Sequence, residues 1–179
     1  MIKISEVKNT APVMFQSELQ KRVYAVLKEL KIPFERVDTD EVITMEDCTE
    51  INKKLNVKMV KTLFLCNRQK TEFFLFVTRG DKPFSSKAFS NALDISRVSF
   101  APARLMETML GTKIGAATVF STIIDSDNRV HIVFDKDIFD EEYYGCSDGM
   151  TTGYMKIRTN DVVNKLLPYT KHTFKTIEV

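Results

Sequence analysis

Histidine and cysteine are both scarce in this chain, and each scarcity argues against a kind of chemistry. The 179 residues include only two histidines, so a Ser-His-Asp triad has little to draw on. The three cysteines, Cys48, Cys66 and Cys146, show no CxxC spacing, which argues against a zinc site. A small, odd number of thiols is typical of reduced cysteines, so we expect a cytoplasmic protein without a bound metal.

An excess of one charge and long apolar runs are also missing. The formal net charge of +2 argues against strong non-specific binding of nucleic acid, which usually needs a basic stripe, but it leaves room for local phosphate contacts. No apolar segment approaches the length of a transmembrane helix, and the first residues lack the apolar run of a signal peptide. We therefore expect no membrane partner, and because 44% of the residues are hydrophobic, we expect a folded core.

The hydrophobic pattern predicts helices and strands without a strict β-α-β alternation. Residues 17–20 have the pattern of a capping box and start an amphipathic helix, which ends at Pro33. Residues 60–66 and 72–78 are predicted to pair as a hairpin, and the second strand, apolar on both faces, is expected to be central. Further helices are predicted to begin near Thr44, Ser85, Pro102 and Thr159, and further strands at 34–37, 97–100, 118–124, 130–134 and 154–158.

These elements indicate an α+β fold, with a mixed, mostly antiparallel sheet flanked by helices, in one domain over residues 1–179. Residues 143–153 carry three glycines and are predicted to be a loop. Thr159 is expected to cap the last helix and Pro168 to stop it. The tail, residues 169–179, shows no clear pattern.

Two glycines four residues apart follow the predicted helix that begins at Pro102. Gly111 suits a left-handed helix C-cap. Gly115 leaves a backbone without a Cβ, so nearby N–H groups can approach a carbonyl or an anion. The same residues also suit a simple helix stop and a tight turn.

Two other segments contain candidate binding groups. Lys61 lies near the start of an apolar strand, where an ammonium can hold a phosphate, or can reach solvent with its stem packed. The hydroxyl-rich segment 147–153 can line a pocket with hydrogen-bond donors or form tight turns. Cys146 just before it is a candidate thiol nucleophile, but no basic partner is evident.

The histidines and one acidic cluster are expected to be structural. His131 is expected to face outward with Val133 from the predicted strand 130–134, and His172 in the tail is expected to lie at the surface. The acidic cluster 125–129 lacks the glycine and terminal glutamate of a calcium loop, so it is interpreted as a turn.

Three motifs in the expected order resemble those of one family. Residues 61–65, Lys-Thr-Leu-Phe-Leu, are similar to a Lys-Asn-Leu-Phe-Leu strand, and residues 99–101, Ser-Phe-Ala, match the family's Ser-Phe-Ala. Residues 110–120 resemble its Leu-Gly-…-Gly-Ser-Val-Thr-Pro-Phe loop. Over about residues 17–167 the chain thus resembles the YbaK and prolyl-tRNA-synthetase-associated editing domains, which hydrolyse mischarged prolyl tRNA.

The resemblance implies a trans-acting deacylase for mischarged proline tRNA, with alanine as the expected amino acid and no cofactor. It implies that Lys61 contacts the tRNA acceptor end and that the backbone around Gly115 binds the aminoacyl carbonyl, while water, aided by the substrate's terminal ribose hydroxyl, attacks the ester. Prolyl-tRNA synthetase is a further expected partner. The expected substrate-binding residues are Thr62, Ala116, Ala117, Thr118, Val119, Ser147, Asp148 and Gly149.

The chain departs from the family pattern at three places. Val119 stands where the family has proline, Thr62 replaces an asparagine, and the family's His-Pro has no equivalent near residues 145–149. Three alternatives therefore stay open: a non-catalytic module that binds tRNA or a synthetase, a deacylase for cysteine, serine or threonine, and a hydrolase of small molecules. The sequence leaves the oligomeric state open.

Overall fold

The computed structural model describes residues 2–42 and 44–179, so that Met1, the first residue of the predicted domain, and Ile43 lie outside the described residues. The described strands are β1 (Glu35–Asp38), β2 (Val60–Cys66), β3 (Phe73–Arg79), β4 (Ser99–Phe100), β5 (Val130–Asp135), β6 (Tyr143–Ser147), β7 (Gly153–Arg158) and β8 (Phe174–Ile177). They form a five-stranded sheet, order β4-β2-β3-β5-β8, and a three-stranded sheet, order β1-β7-β6.

Short helical segments connect these strands. The α-helices are α1 (Glu18–Glu29), α2 (Cys48–Leu55), α3 (Ser86–Leu93), α4 (Ala103–Leu105), α5 (Thr159–Asp161) and α6 (Leu167–Tyr169). The π-helical segment Met106–Leu110 continues α4, and a second one, Val162–Leu166, joins α5 to α6. Val119–Ile123 and Lys136–Asp140 are 3₁₀ helices. Among the described residues, no helix has the length and apolar character needed to span a membrane.

Local signals correctly predict the first helix and the hairpin. Ser17 caps α1 by accepting a hydrogen bond from the Gln20 N–H at 3.0 Å. The Gln20 side chain reaches back one residue further than in a standard capping box and accepts from the Gln16 N–H at 2.7 Å. Strands β2 and β3 pair antiparallel, and β3 lies between β2 and β5, which confirms that it is central.

The hydrophobic core forms on both faces of the five-stranded sheet. On one face, alternate residues of β3 and β5 join α1, the last helices and the inner side of the three-stranded sheet in the largest apolar cluster. On the other face, α3 contributes Phe89, which is fully buried with Phe76 and Val133. Antiparallel pairs outnumber the parallel pairs β3–β5 and β5–β8, so the predicted α+β fold with a mixed, mostly antiparallel sheet is confirmed.

Residues 118–124 do not form the predicted strand. They form the 3₁₀ helix Val119–Ile123, which Thr118 caps and in which every residue is buried. The Ser121 hydroxyl donates to the Leu110 carbonyl at 2.8 Å, and the Thr122 hydroxyl donates to the Val119 carbonyl at 2.9 Å. Because these hydroxyl groups donate hydrogen bonds to nearby backbone carbonyls, this run of β-branched residues can form a helix instead of a strand.

Two segments without a predicted element contain strands. The predicted loop 143–153 begins with β6, where an added Cβ at Gly145 would lie 3.0 Å from the Lys58 carbonyl oxygen. Glycine here therefore permits a close backbone approach and does not mark a loop. In the tail, β8 pairs in parallel with β5 at the edge of the larger sheet.

Helix boundaries differ from the prediction at three places. Residues 44–47 form a turn, and α2 begins only at Cys48. The Thr159 hydroxyl donates to the Glu141 carbonyl at 2.7 Å, so it joins the end of β7 to the β5–β6 connection and does not cap the helix. Pro168 lies inside α6 and does not stop the helical run before it, which continues to Tyr169.

Candidate active site

A cavity of about 490 Å³ opens where β2, β4, the start of the π-helical segment Met106–Leu110 and the end of β6 meet the glycine loop, residues 111–117. We call it the main cavity. It is mostly apolar, with a few polar groups, as is typical of ligand sites. Its walls include Met59, Val60, Lys61, Thr62, Phe64, Phe100, Ala101, Met106, Ile114, Gly115, Ala117, Cys146, Ser147 and Tyr154.

The main cavity brings together half of the residues predicted for the site. Lys61 and Thr62 come from β2, Gly115 and Ala117 from the glycine loop, and Ser147 from the end of β6. Lys61 and Gly115 are 54 positions apart in the chain, yet they line the same cavity. The hairpin and the left-handed turn after α4 are the elements that bring them there.

Lys61 is partly buried and held by the backbone of a neighbouring turn. Its ammonium donates to the Lys82 carbonyl at 2.5 Å. The Lys82 ammonium in turn pairs with Asp135 at 2.7 Å and with Asp137 at 3.0 Å, and the fully buried Asp135 also accepts from the Thr78 hydroxyl. No carboxylate of the described residues forms a salt bridge with Lys61, so its positive charge is not neutralised by the protein.

The glycine loop, which lines the main cavity with Gly115 and Ala117, contains backbone N–H groups without a described partner. Gly111 has φ +68° and caps the helix, which confirms the predicted left-handed C-cap. Gly115 is exposed with φ +91°, a conformation that favours glycine. Neither its N–H nor that of Ala117 donates to another described residue. Two N–H groups at a cavity wall can polarise a carbonyl or bind an oxyanion.

Ser147 fixes the loop to the core. Its hydroxyl donates to the Ala116 carbonyl at 3.1 Å, while its own carbonyl accepts from the Thr118 hydroxyl at 3.0 Å. Both contacts are buried, so the loop backbone beside Gly115 is positioned before any ligand binds.

Five residues predicted to bind substrate do not line the main cavity. Ala116 in the loop and Thr118 and Val119 directly after it are buried. Asp148 is 1% exposed and accepts hydrogen bonds from the Gln20 amide at 3.0 Å and the Tyr24 hydroxyl at 2.8 Å. Burial raises the pKa of Asp148 above its ordinary value, although these hydrogen bonds oppose the shift. Asp148 and the neighbouring, buried Gly149 thus join the β6–β7 turn to α1, which is a structural role.

The other candidates for chemistry have structural positions. Burial, followed by the nearby charge of Asp148, raises the pKa of Cys146 well above its ordinary value, so its thiol is a poor nucleophile. His131 is exposed as predicted, but Val133 is buried beneath α3 and does not face outward with it. Among the described residues, no cluster of metal-binding side chains is present.

His172 does not lie at the surface, contrary to the prediction. It is 5% exposed, and its Nε2 lies 2.9 Å from an Asp125 carboxylate oxygen. Asp125 also accepts from the Arg129 and Val130 N–H groups at 3.0 and 2.9 Å, so the acidic cluster is a closed turn, as predicted. The pair fixes the segment before β8, which no local pattern in the tail indicates.

A second cavity of about 420 Å³ shares Met45, Met59 and Val60 with the main cavity. Four of its charged wall residues form salt bridges with each other: Lys58 with Glu141 at 2.7 Å and Arg79 with Asp81 at 2.7 Å. Phe100 and Ile114 of the main cavity were not predicted as site residues, although Phe100 belongs to the Ser-Phe-Ala motif.

Comparisons with known proteins agree on one family. The chain is 25% identical over 162 residues to the prolyl-tRNA editing protein ProX of Acetoanaerobium sticklandii, covering 90% of this chain and 98% of that protein. It is 27% identical over 165 residues to prolyl-tRNA synthetase associated domain-containing protein 1 of Danio rerio, covering 91% of this chain and 86% of that protein.

A solved structure, described provisionally as a trans-editing enzyme for prolyl tRNA synthetase, superimposes with a TM-score of 0.65. It is 12% identical and covers 92% of this chain and 99% of that one, so it shows a shared fold. The sequence profile of the aminoacyl-tRNA editing domain matches residues 39–165. This match spans more than half of the chain, and the chain therefore belongs to the aminoacyl-tRNA editing domain family.

Proposed function

We propose that this protein is a trans-editing deacylase that removes a small amino acid, alanine first among the candidates, from mischarged proline tRNA. The observation that carries the proposal is the main cavity, which the unneutralised ammonium of Lys61 and the free backbone N–H groups of Gly115 and Ala117 line together. The similarity to proteins named for prolyl-tRNA editing supports proline tRNA as the substrate class.

The proposed mechanism uses positioning and oxyanion stabilisation. The N–H groups of Gly115 and Ala117 bind the ester carbonyl and stabilise the negative charge that develops when water adds to its carbon. The C–O bond to the terminal ribose then breaks, and the ribose oxygen leaves with a proton that comes from the attacking water. The neighbouring ribose hydroxyl orients that water. An aminoacyl ester is already activated, so holding it beside water can suffice without a protein nucleophile.

Lys61 holds the acceptor end in this mechanism. Its ammonium supplies a point charge for a phosphate or ribose oxygen, and the bond to the Lys82 carbonyl keeps the side chain in one orientation. The ordered position reduces the entropy lost when the substrate binds.

Selectivity for a small amino acid follows from the cavity walls. Met59, Met106 and Ala117 surround the space beside the carbonyl site with apolar groups. A bulky or cyclic side chain must displace them, whereas a synthetase pocket built for proline cannot reject a smaller amino acid by size. Prolyl-tRNA synthetase, which would produce the mischarged tRNA, is the proposed partner.

The test is a deacylation assay with proline tRNA charged with alanine, cysteine, serine, threonine or proline. We expect turnover of the alanyl ester and none of the prolyl ester. Lys61→Ala is expected to lose most of the activity, by about 100-fold, because one charge-assisted contact in the transition state is removed. Lys87→Ala, which removes an exposed lysine of α3, is the matched control.

Two results would contradict the proposal. Full activity of a folded Lys61→Ala variant would refute the role of Lys61. Binding of proline tRNA without turnover of any ester would favour the alternative of a non-catalytic tRNA-binding module. The replacement of the family's proline by Val119 favours that alternative, although this residue is fully buried here.

A further inference from the structure

Two large apolar side chains of the main cavity lie mostly outside the core. Phe100 on β4 is 64% exposed, and Ile114 in the glycine loop is 66% exposed. Both line the main cavity. Exposed apolar side chains that share one cavity are typical of a surface that a ligand covers. Neither side chain has a part in the mechanism proposed above.

The Phe100 ring is held in place although it is exposed. Its backbone belongs to the β2–β4 ladder, where it lies opposite Leu65, and the following Ala101 N–H donates to the Phe64 carbonyl at 2.9 Å. The ring meets Phe84 edge to face, with centroids 5.6 Å apart and an angle of 60° between the planes. A ring fixed in this way loses little entropy when a flat ligand stacks on it.

Three cationic residues lie close to this apolar pair in the sequence. Arg97, Arg104 and Lys113 are exposed, and Glu107 is the one acidic residue in the sequence between positions 97 and 114. The Arg97 guanidinium has a hydrogen bond to the Ser86 hydroxyl at 3.3 Å. Arg104 and Lys113 form no salt bridge with a described residue, so their charges are available to phosphates. An aromatic platform beside free cations is the combination that binds single-stranded nucleic acid.

We propose that the terminal nucleobase of the tRNA 3′ end stacks on the Phe100 ring and packs against Ile114, while Arg97, Arg104 and Lys113 contact the phosphates before it. This inference rests on the proposed function, since it places the ester-bearing ribose at the mouth of the cavity that Lys61 and Gly115 line. An unpaired base offers an open face for stacking, whereas a paired base does not.

The first test compares the KM for alanyl-tRNA of wild type and variants. Phe100→Ala is expected to raise KM about 10-fold or more, because base–aromatic stacking contributes at least that factor. Phe100→Tyr, which keeps the ring, is expected to restore it. Phe139→Ala is the control, since Phe139 is 38% exposed on the 3₁₀ helix Lys136–Asp140 and does not line the cavity. An unchanged KM for Phe100→Ala, with normal turnover by the wild type, would overturn the stacking inference and leave the proposed function intact.

The second test needs no hydrolysis. It measures binding of a short RNA ending in CCA and of the same RNA whose last nucleotide lacks its base. We expect the wild type to bind the complete RNA about 10-fold more tightly and Phe100→Ala to show no such difference. If the wild type deacylates no ester, the proposed function fails, and this measurement still decides the inference. Equal affinity of the wild type for both RNAs would overturn it.

Discussion

Gly153→Ala is expected to destabilise the protein strongly, although it adds a single methyl group. A Cβ at Gly153 would clash with both carboxylate oxygens of Asp148, and would lie 2.5 Å from the more distant one. Moving the Asp148 side chain costs free energy, because it is buried and accepts hydrogen bonds from Gln20 at 3.0 Å and Tyr24 at 2.8 Å. Displacing the carboxylate breaks these two bonds to a charged group, each of which contributes about 1.5 to 3 kcal/mol.

We therefore expect the free energy of unfolding to fall by about 3 kcal/mol or more, a large share of the 5 to 15 kcal/mol of a typical domain. The assay is urea unfolding followed by circular dichroism, because the chain contains no tryptophan to report by fluorescence. In an Asp148→Ala background, the same Gly153→Ala change should cost far less, since the clashing group is absent. A Gly153→Ala protein within about 0.5 kcal/mol of wild type would refute the reasoning.

Two further predictions concern buried carboxylates. Burial raises the pKa of Asp148, so its charged form is disfavoured in the folded state. The stability of wild type relative to Asp148→Asn should therefore decrease as the pH rises above 3.8, the ordinary pKa. Urea unfolding at several pH values checks this, and a relative stability that rises with pH would contradict it. For Asp125, burial alone would raise the pKa, but hydrogen bonds from His172 and from the Val130 and Arg129 N–H groups lower it, so its stabilising effect is present above 3.8 and is lost as the pH falls through the lowered value. His172→Ala should lower the free energy of unfolding at neutral pH by about 2 kcal/mol and reduce the loss on acidification, and acid-unfolding curves that match those of wild type would refute this.

Local sequence signals predicted the elements that local contacts stabilise. Ser17 and Ser85 cap their helices as their sequence positions indicate, each accepting a bond from a backbone N–H three residues on. Two strand-like apolar runs separated only by the short polar segment 67–70 identified the β2–β3 hairpin, because strands adjacent in sequence pair without a long connection.

Elements that depend on distant contacts escaped prediction. β8 pairs in parallel with β5, and the segment before it is joined to the core by the contact between His172 and Asp125, which lies 47 residues earlier. The 3₁₀ helix Val119–Ile123 depends on the Ser121 bond to Leu110, so its composition alone suggests a strand. Each case involves a side-chain partner that no window of neighbouring residues contains.

The site could be predicted in part. The resemblance named Lys61 and Gly115 together, and both line one cavity in the fold. Ser147 and Asp148 were also named together and are both buried, but only Ser147 lines that cavity. No local pattern distinguishes these two neighbours, because Ser147 is the last residue of β6, whereas Asp148 follows the strand and bonds to Gln20 and Tyr24 of α1, 128 and 124 residues earlier.

The arrangement of Ser147 and Asp148 makes the glycine loop and the first helix mechanically dependent on each other. The Ser147 hydroxyl bonds to the carbonyl of Ala116, and the Asp148 carboxylate accepts bonds from Tyr24 and Gln20. Damage to the packing of α1 is thus transmitted through a single peptide unit to the backbone that lines the main cavity. Selection of variants in the laboratory should therefore leave these two positions unchanged. Beneficial substitutions should instead occur at exposed residues that line the main cavity, such as Phe100 and Ile114.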